Sequence, residues 1–357
     1  MSSIEWVSLE EKYRWDSLVS EFDNIDIYYS SGYSKAFENV SEGKPYLVFF
    51  SAEGFKACNV VLLREIKTIN GNVFYDLTSQ YGYGGWVFQG QAQKDSDMSL
   101  LFHKYEESCI SKNIISEVIR LHPVCCDFDL LEKFYTSRNM GAVVVLDTSS
   151  EEIIWKNIIS KNRNVIRKAE KLGVIIKNGG NELITPEIFK SVYDDTMSRT
   201  NAADFYFFSQ KFHNEFNELL EEGFKYFAAY LDDVLLGVAI ITHKNGMLNY
   251  HLSGTTLSAQ GVPAMNLLLY RAAVWGAEND YKTFNLGGGV GASRDSLFKF
   301  KQSFTREEPV DYYLLTKVFD EERYQELTSE RVAKLGDLDE GYFPRYRSPQ
   351  IREKNND

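Results

Sequence analysis

Cysteine is scarce in this chain: four in 357 residues, at Cys58, Cys109, Cys125 and Cys126. None forms a C-x-x-C pair, so neither a disulfide framework nor a zinc site is expected. His122-Pro-Val-Cys125 supplies half of a metal site and nothing supplies the other half, so free buried thiols and no metal are expected. No stretch approaches the roughly 18 consecutive apolar residues of a membrane helix; runs such as 46–50 and 235–242 have the length of core strands. The first residues show no basic segment followed by an apolar one, so no signal peptide is expected and the chain reads as cytoplasmic. Positive charge is also short, with 39 Lys and Arg against 51 Asp and Glu, for a net charge of −12. That excludes a protein that coats DNA through its overall charge and leaves room for a local basic site. What is present suffices for a folded core: 44% hydrophobic and 25% charged residues rule out disorder as the main state. The 14% of aromatic residues fits large sheet cores.

One order of elements occurs twice. Strands are expected over 46–50, 57–66 and 73–78, with turns at Ser51-Ala-Glu-Gly-Phe55 and Asn70-Gly71. An amphipathic helix over 95–112, a strand at 116–121, a helix over 128–139 and a strand at 142–146 follow. The second set has strands at 225–231, 234–242 and 247–253, with turns at Asp232-Asp233 and Asn245-Gly246. It continues with a helix over 263–279, a strand at 283–286, a short helix over 294–303 and a strand at 310–317. The lead-ins correspond too: Asp26-Ile-Tyr-Tyr-Ser30 and Asp204-Phe-Tyr-Phe-Phe-Ser209. These patterns predict an α/β (α+β) protein with two related, mostly antiparallel sheets flanked by helices. Residues 1–147 form the first domain, 148–320 a linking helix plus the second domain, and 321–357 a C-terminal tail.

The link opens with Ser149-x-x-Glu152, a capping-box pattern, and predicts one helix to about Leu172 before Gly173. Lys156, Arg163, Arg167 and Lys171 fall on one side of it. Four cations without an interspersed acid either form a solvated face or bind phosphate.

Four segments carry a resemblance. They are Tyr81-Gly-Tyr-Gly-Gly85; Lys161-Asn-Arg-Asn-Val-Ile-Arg-Lys-Ala-Glu-Lys171; Asn249-Tyr-His-Leu-Ser-Gly254 with Pro263-Ala-Met-Asn-Leu-Leu-Leu269; and Phe284-Asn-Leu-Gly-Gly-Gly289 leading into Ser296-Leu-Phe-Lys-Phe-Lys-Gln-Ser-Phe304. In order and spacing, over roughly residues 30–320, the chain resembles the Fem-type peptidyltransferases and related acetyltransferase-like proteins of bacterial cell-envelope polysaccharide synthesis. The resemblance implies two tandem acetyltransferase (GNAT-type) folds and transfer of an acyl or aminoacyl group to an amine. The donor it implies is aminoacyl-tRNA or acyl-CoA, acting as co-substrate with no tightly bound cofactor. The acceptor it implies is a cell-envelope peptide precursor or a small or nucleotide-linked amino sugar. A non-catalytic binding protein that retains the fold is the alternative. Two departures stand out. Gln260-Gly-Val-Pro-Ala264 does not fit the Gln/Arg-x-x-Gly-x-Gly/Ala pattern that grips a CoA pyrophosphate at a helix N-terminus, and no heptad segment supplies the coiled-coil arm of some Fem members.

Acyl transfer needs an unprotonated amine and a stabilised oxyanion. Phe300-Lys301-Gln-Ser-Phe304 matches the Fem pattern Phe-Lys-x-Gly-Phe with Ser303 in place of glycine, so the resemblance makes Lys301 the first catalytic candidate. Lys299, two residues away, points elsewhere on a helix. His251 is a possible base and Tyr250, on the opposite face of its strand, a hydrogen-bonding group. Either residue could instead be structural. The substrate-binding candidates are Arg163 and Arg167 on the basic helix and Arg199 and Tyr206 before the second sheet. Tyr81 and Tyr83 in the first glycine-rich turn, Asn266 on the helix after Pro263, and Gly288 and Gly289 in the loop Gly287-Gly-Gly-Val-Gly291 complete the set. That loop lacks both G-x-G-x-x-G and the P-loop Gly-Lys-Ser/Thr. It serves either close backbone packing or presentation of N–H groups.

Overall fold

The computed structural model describes residues 2–68, 71–90, 95–220 and 222–350. Asn70 of the expected Asn70-Gly71 turn and the end of the tail, 351–357, lie outside the described residues. The strands are β1 (Ser3–Ser8), β2 (Lys44–Ala52), β3 (Phe55–Lys67), β4 (Val73–Thr78), β5 (Val87–Gly90), β6 (Ile114–Arg120) and β7 (Thr136–Asp147). They continue with β8 (Ile175–Gly179), β9 (Phe224–Leu231), β10 (Val234–Lys244), β11 (Met247–Thr255), β12 (Thr283–Gly287) and β13 (Val310–Val318). Two compact units result. The first holds Met1–Phe22, Ser41–Asn139 and Tyr313–Asp357; the second holds Asp23–Val40 and Met140–Tyr312.

In the first unit the strands pair in the order β1-β2-β3-β4-β6-β13, all antiparallel except β4 with β6, and β5 pairs β3. The helix Asp95–Ser111 covers this sheet, burying Leu101, Phe102, Tyr105 and Cys109 against Trp86 and Leu77. Within this core the wholly buried Glu117 accepts hydrogen bonds from Tyr105 Oη and Tyr135 Oη, each at 2.9 Å, and from Asn59 Nδ2 at 3.2 Å. In the second unit the order is β7-β12-β11-β10-β9-β8, again antiparallel except for β11 with β12. The helices Ala264–Glu278 and Ser160–Lys171 pack on one face of this sheet. On the other face lie Ser31–Glu38, Pro186–Arg199 and Gln210–Leu219, with Phe37, Phe212 and Phe216 ring to ring. Gly254 is where Pro186–Arg199 presses closest on β11; a Cβ there would lie 2.5 Å from the Val192 carbonyl oxygen.

The two units share one plan: four antiparallel strands, a helix, then a strand parallel to the fourth. In each, the sixth strand comes from a distant part of the chain. Leu314–Val318 of β13 pair with β6, and Val144–Asp147 of β7 pair with β12. The units therefore do not follow the sequence division at 147/148. Asp23–Val40 and Met140–Asp147 count with the second unit, and the tail with the first. Both lead-ins form a short 3-10 turn before a serine-capped helix, Ser30 taking Tyr33 N at 3.2 Å and Ser209 taking Phe212 N at 3.1 Å. Both belong to the second unit.

Three local expectations need correction. The helix expected over 128–139 is one turn, Phe128–Leu131, because Tyr135 turns inward to Glu117 and β7 has begun by Thr136. The single linking helix is two, Glu151–Asn157 and Ser160–Lys171. Ile158 and Ile159 leave the helix because Ile158 is fully buried and the Ile159 amide bonds the Ser303 carbonyl at 3.2 Å. The cap of the first helix is Ser150, accepting Ile153 N at 3.2 Å, while Ser149 is held by Asp147. His122, half of the apparent metal motif, uses Nδ1 to accept the Val124 and Cys125 amides at 3.2 Å. No described helix is long and apolar enough to cross a membrane.

Candidate active site

The parallel strands β11 and β12 pair only from Met247–Asn249 against Thr283–Asn285. Beyond that point β11 runs on to Thr255 along β10 while β12 ends at Gly287 along β7, so the two part into a fork. Backbone groups of β11 past Asn249 are therefore not paired by β12. The β10 register also steps from Ile241↔Tyr250 to Ile240↔Leu252, leaving His251 as the extra residue of a bulge.

Lys301 belongs to the short helix Ser296–Gln302, whose N-terminus is capped by Asp295 through the Phe298 amide at 2.8 Å. Asp295 also accepts the Val290 amide at 3.0 Å, which ties the helix to the glycine-rich loop. Phe298 and Phe304 enter the core and draw Lys301 inward, leaving it 8% exposed, while Lys299 stays in solvent. Lys301 Nζ donates to the Gly288 carbonyl at 2.8 Å and lies 5.7 Å from the centre of the Tyr250 ring. Burial pulls its pKa down to about 8, against the opposing pull of Asp295. Tyr250 Oη shares a hydrogen bond with Ser253 Oγ at 2.5 Å, and burial raises its phenol pKa. Gly289 is required sterically, since a Cβ would fall 2.3 Å from Asp295 Oδ1. Tyr250, Gly288, Gly289 and Lys301 thus meet around the tips of the fork.

A chain of buried amides supports it. Asp26 accepts Asn249 Nδ2 on both carboxylate oxygens, at 3.1 and 2.9 Å. Asn249 Oδ1 accepts Asn285 Nδ2 at 3.4 Å, and Asn285 Oδ1 accepts the Gly287 amide at 2.8 Å. All three side-chain-bearing residues are buried. The sequence reading did not single out Asp26 or Asn285; for Asn285 the available signal was a polar residue inside an apolar strand, whereas Asp26 caps the 3-10 turn of the first lead-in.

Beside the fork, Arg199 and residues between Thr255 and Asn266, among them Gln260, Pro263 and Ala264, line a groove of about 360 Å³. The helix Ala264–Glu278 starts there with Pro263 at its N-cap and no side-chain cap; the Ala264 amide bonds the Val262 carbonyl at 2.8 Å, and the amides of the rest of the first turn have no side-chain cap. Arg199 is anchored to the Thr255 carbonyl and, at 3.1 Å, to Thr255 Oγ1. Asn266 Nδ2 bonds Asn162 Oδ1 at 2.8 Å, and Asn162 Nδ2 bonds the Ser303 carbonyl at 3.3 Å. Asn266 therefore ties three helices together.

The remaining candidates are more dispersed. His251 stands on the other side of β11 from the Tyr250 ring, stacked on Phe216 at 5.5 Å and edged by Tyr33 and Phe37. Burial pulls its pKa down to about 3. Arg163 turns back to the Trp155 carbonyl at 3.2 Å and Arg167 lies over the Trp155 ring at 5.1 Å. No described carboxylate pairs with either, because Glu170 pairs with Arg271. Lys156 is on the separate preceding helix, so the expected four-cation stripe is broken. Tyr206 is half-exposed on a 3-10 turn beside Phe205. Tyr81 and Tyr83 belong to the first unit, where Tyr83 meets His122 edge-on.

The corresponding place in the first unit is closed by its own backbone. There β4 and β6 stay paired to Thr78↔Val118, and pairing resumes through the Gly84 amide to the Arg120 carbonyl at 2.8 Å. The Arg120 guanidinium holds the carbonyls of Ser79, Gln80 and Gly82.

Comparison with known proteins agrees with this fold. Residues 160–301 match the family described as acetyltransferase (GNAT) domain. FemX has a similar structure, with TM-score 0.68 at 11% identity over 90% of this chain and 99% of that one. A C-terminal domain of a putative lysylphosphatidylglycerol synthetase from Agrobacterium fabrum gives TM-score 0.53 at 13% identity, covering 86% and 91%. A protein of unknown function from Bacteroides thetaiotaomicron gives 0.56 at 12%, covering 89% and 100%. No curated protein matches the sequence. Residues 160–301 thus match the acetyltransferase (GNAT) domain family, and the chain shares its fold with FemX, a Fem-like GNAT arrangement.

Proposed function

We propose that the chain transfers an acyl or aminoacyl group to an amine, with the reacting carbonyl at the β11–β12 fork of the second unit. The observation that carries this reading is Lys301: a buried cation at the fork, inside the matched GNAT domain. The acceptor nitrogen forms a bond to the carbonyl carbon, the C–S or C–O bond to the donor breaks, and the proton lost by the amine leaves with the donor group. Negative charge on the tetrahedral oxygen is met by the Lys301 ammonium, a preorganised donor in a partly dry site. The unpaired edge of β11 offers amides and carbonyls to an extended donor. The uncapped helix start at Ala264, with Arg199 nearby, suits a phosphate or carboxylate of that donor.

The donor is acyl-CoA or aminoacyl-tRNA, and the acceptor a cell-envelope precursor or an amino sugar. FemX and the lysylphosphatidylglycerol synthetase domain share the fold, which supports aminoacyl transfer. Arg163 and Arg167, free of carboxylates, supply charge for a polyanionic donor or acceptor. The departure at Gln260–Ala264 favours a second reading, a binding protein without turnover. Thermal-shift titration with acetyl-CoA, CoA, UDP-sugars and aminoacyl-tRNA separates them. A true donor at 100 times its dissociation constant stabilises by about 2.7 kcal/mol. Stabilisation by a sugar nucleotide alone, with no donor bound, would overturn the transferase reading.

A further inference from the structure

The C-terminal segment returns to the first unit and, together with β3, lines a groove of about 290 Å³. Two of the lining arginines share Asp76, wholly buried on β4. Arg64 Nε donates to one Asp76 oxygen at 2.6 Å and Arg347 Nε to the other at 2.5 Å. Each guanidinium is thus anchored through Nε, with its terminal nitrogens left for other partners. Arg347 gives Nη1 to Glu42 at 2.8 Å and Nη2 to the Glu65 carbonyl at 2.9 Å. Arg64 Nη2 is buried and bonds nothing. Arg331, on the helix Glu321–Leu335, is anchored on the Ser348 carbonyl through Nε at 3.0 Å and Nη2 at 2.9 Å. Its Nη1 has no partner among the described residues. Lys67 stands exposed at the rim, and Glu42, though paired, keeps 67% of its side chain in solvent.

A buried guanidinium nitrogen without an acceptor forfeits its hydration with nothing in return. Four cations line the groove, and of the carboxylates near them only Asp76 is buried; Glu42 and Glu65 reach solvent. We propose that this groove binds a small phosphate-bearing anion, held by Arg64, Arg331 and Arg347, with Glu42 occupying the place of one phosphate oxygen when the groove is empty. Three guanidiniums on three separate elements can each meet a different oxygen of a tetrahedral phosphate, whereas a carboxylate has only two oxygens to offer. The site lies wholly in the first unit and does not depend on the proposed transfer reaction.

Isothermal titration of the full chain with inorganic phosphate, phenyl phosphate and acetate at constant ionic strength tests this. Both phosphates bind and acetate binds at least ten times more weakly. Tighter binding of phenyl phosphate assigns the site to a phosphomonoester, and tighter binding of inorganic phosphate assigns it to the free anion. Glu42→Gln, which removes the competing carboxylate, tightens phosphate binding several-fold, an effect that a purely structural clasp does not produce. Arg331→Met weakens it at least tenfold with an unchanged circular dichroism spectrum, and Lys67→Met serves if Arg331→Met does not fold. No heat with either phosphate, or equal affinities in wild type and Glu42→Gln, overturns the proposal.

Discussion

Lys301 Nζ donates to the Gly288 carbonyl at 2.8 Å, which places the one buried lysine among the described residues of the second unit against the glycine-rich loop at the strand fork. Burial lowers its pKa from the ordinary 10.5 to about 8. If its ammonium meets the oxyanion, the turnover number should hold below about pH 8 and fall as the pH rises through that value. Stability runs the other way: the unfolded chain binds this proton more tightly, so between pH 8 and 10.5 the Lys301 contribution to stability increases with pH. A turnover profile flat to pH 10 would separate Lys301 from the chemistry.

Asp26 supports the same loop from a distance, through Asn249 and Asn285. Asp26→Ala leaves the Asn249 amide buried without its acceptor, which costs about 1–3 kcal/mol. Urea unfolding should show that loss. Hydrogen exchange should show faster exchange at the Gly287 amide, whereas a change confined to global stability would leave the loop's exchange unaltered relative to the rest of the unit.

Among the described residues no carboxylate pairs with Arg163 or Arg167, so replacing both by Ala removes charge without leaving a carboxylate unpaired; the partners released, the Trp155 carbonyl, Ser160 Oγ and Asn164 Oδ1, are neutral. The Michaelis constant for a phosphate-bearing substrate should rise about tenfold or more, with the melting temperature nearly unchanged and a weaker salt dependence. Kinetics identical to wild type would leave these arginines as a solvated face that packs on Trp155.

In the first unit, burial pushes the Glu117 carboxyl up to about 7 despite three donors. The folded state therefore holds this proton more tightly than the unfolded chain does, for which the ordinary value is 4.5. Its contribution is fully present below about pH 4.5 and is lost as the pH rises through 7. Glu117→Gln should flatten the stability profile across that window. A profile of unchanged slope would mean that other groups dominate it.

Much of the strand plan was legible because its signals are local. Asp232-Asp233 and Asn245-Gly246 adopt the positive φ that their sequences suit, and the strands beside them fall within two residues of expectation. The opposite placement of Tyr250 and His251 follows from strand alternation alone. What was not legible depends on distant partners. Ile158 and Ile159 break a strong helical pattern for the sake of Ser303, and Tyr135 does so for Glu117. The exchange of β7 and β13 needs pairings far apart in sequence, and Arg347 reaches Asp76 across 271 residues. No periodicity records such contacts. The family resemblance drew attention to Lys301, but nothing in the sequence pointed to Gly288 as its acceptor.

The most direct test of the transferase account is single-turnover transfer from labelled acetyl-CoA and, separately, labelled aminoacyl-tRNA to a panel of amino sugars and cell-wall peptide precursors. Wild type is compared with Lys301→Met and Lys299→Met. The account predicts transfer from one donor by wild type and Lys299→Met, and a rate lowered by about 100-fold or more in Lys301→Met at saturating substrate. Wild-type rates in Lys301→Met would contradict it.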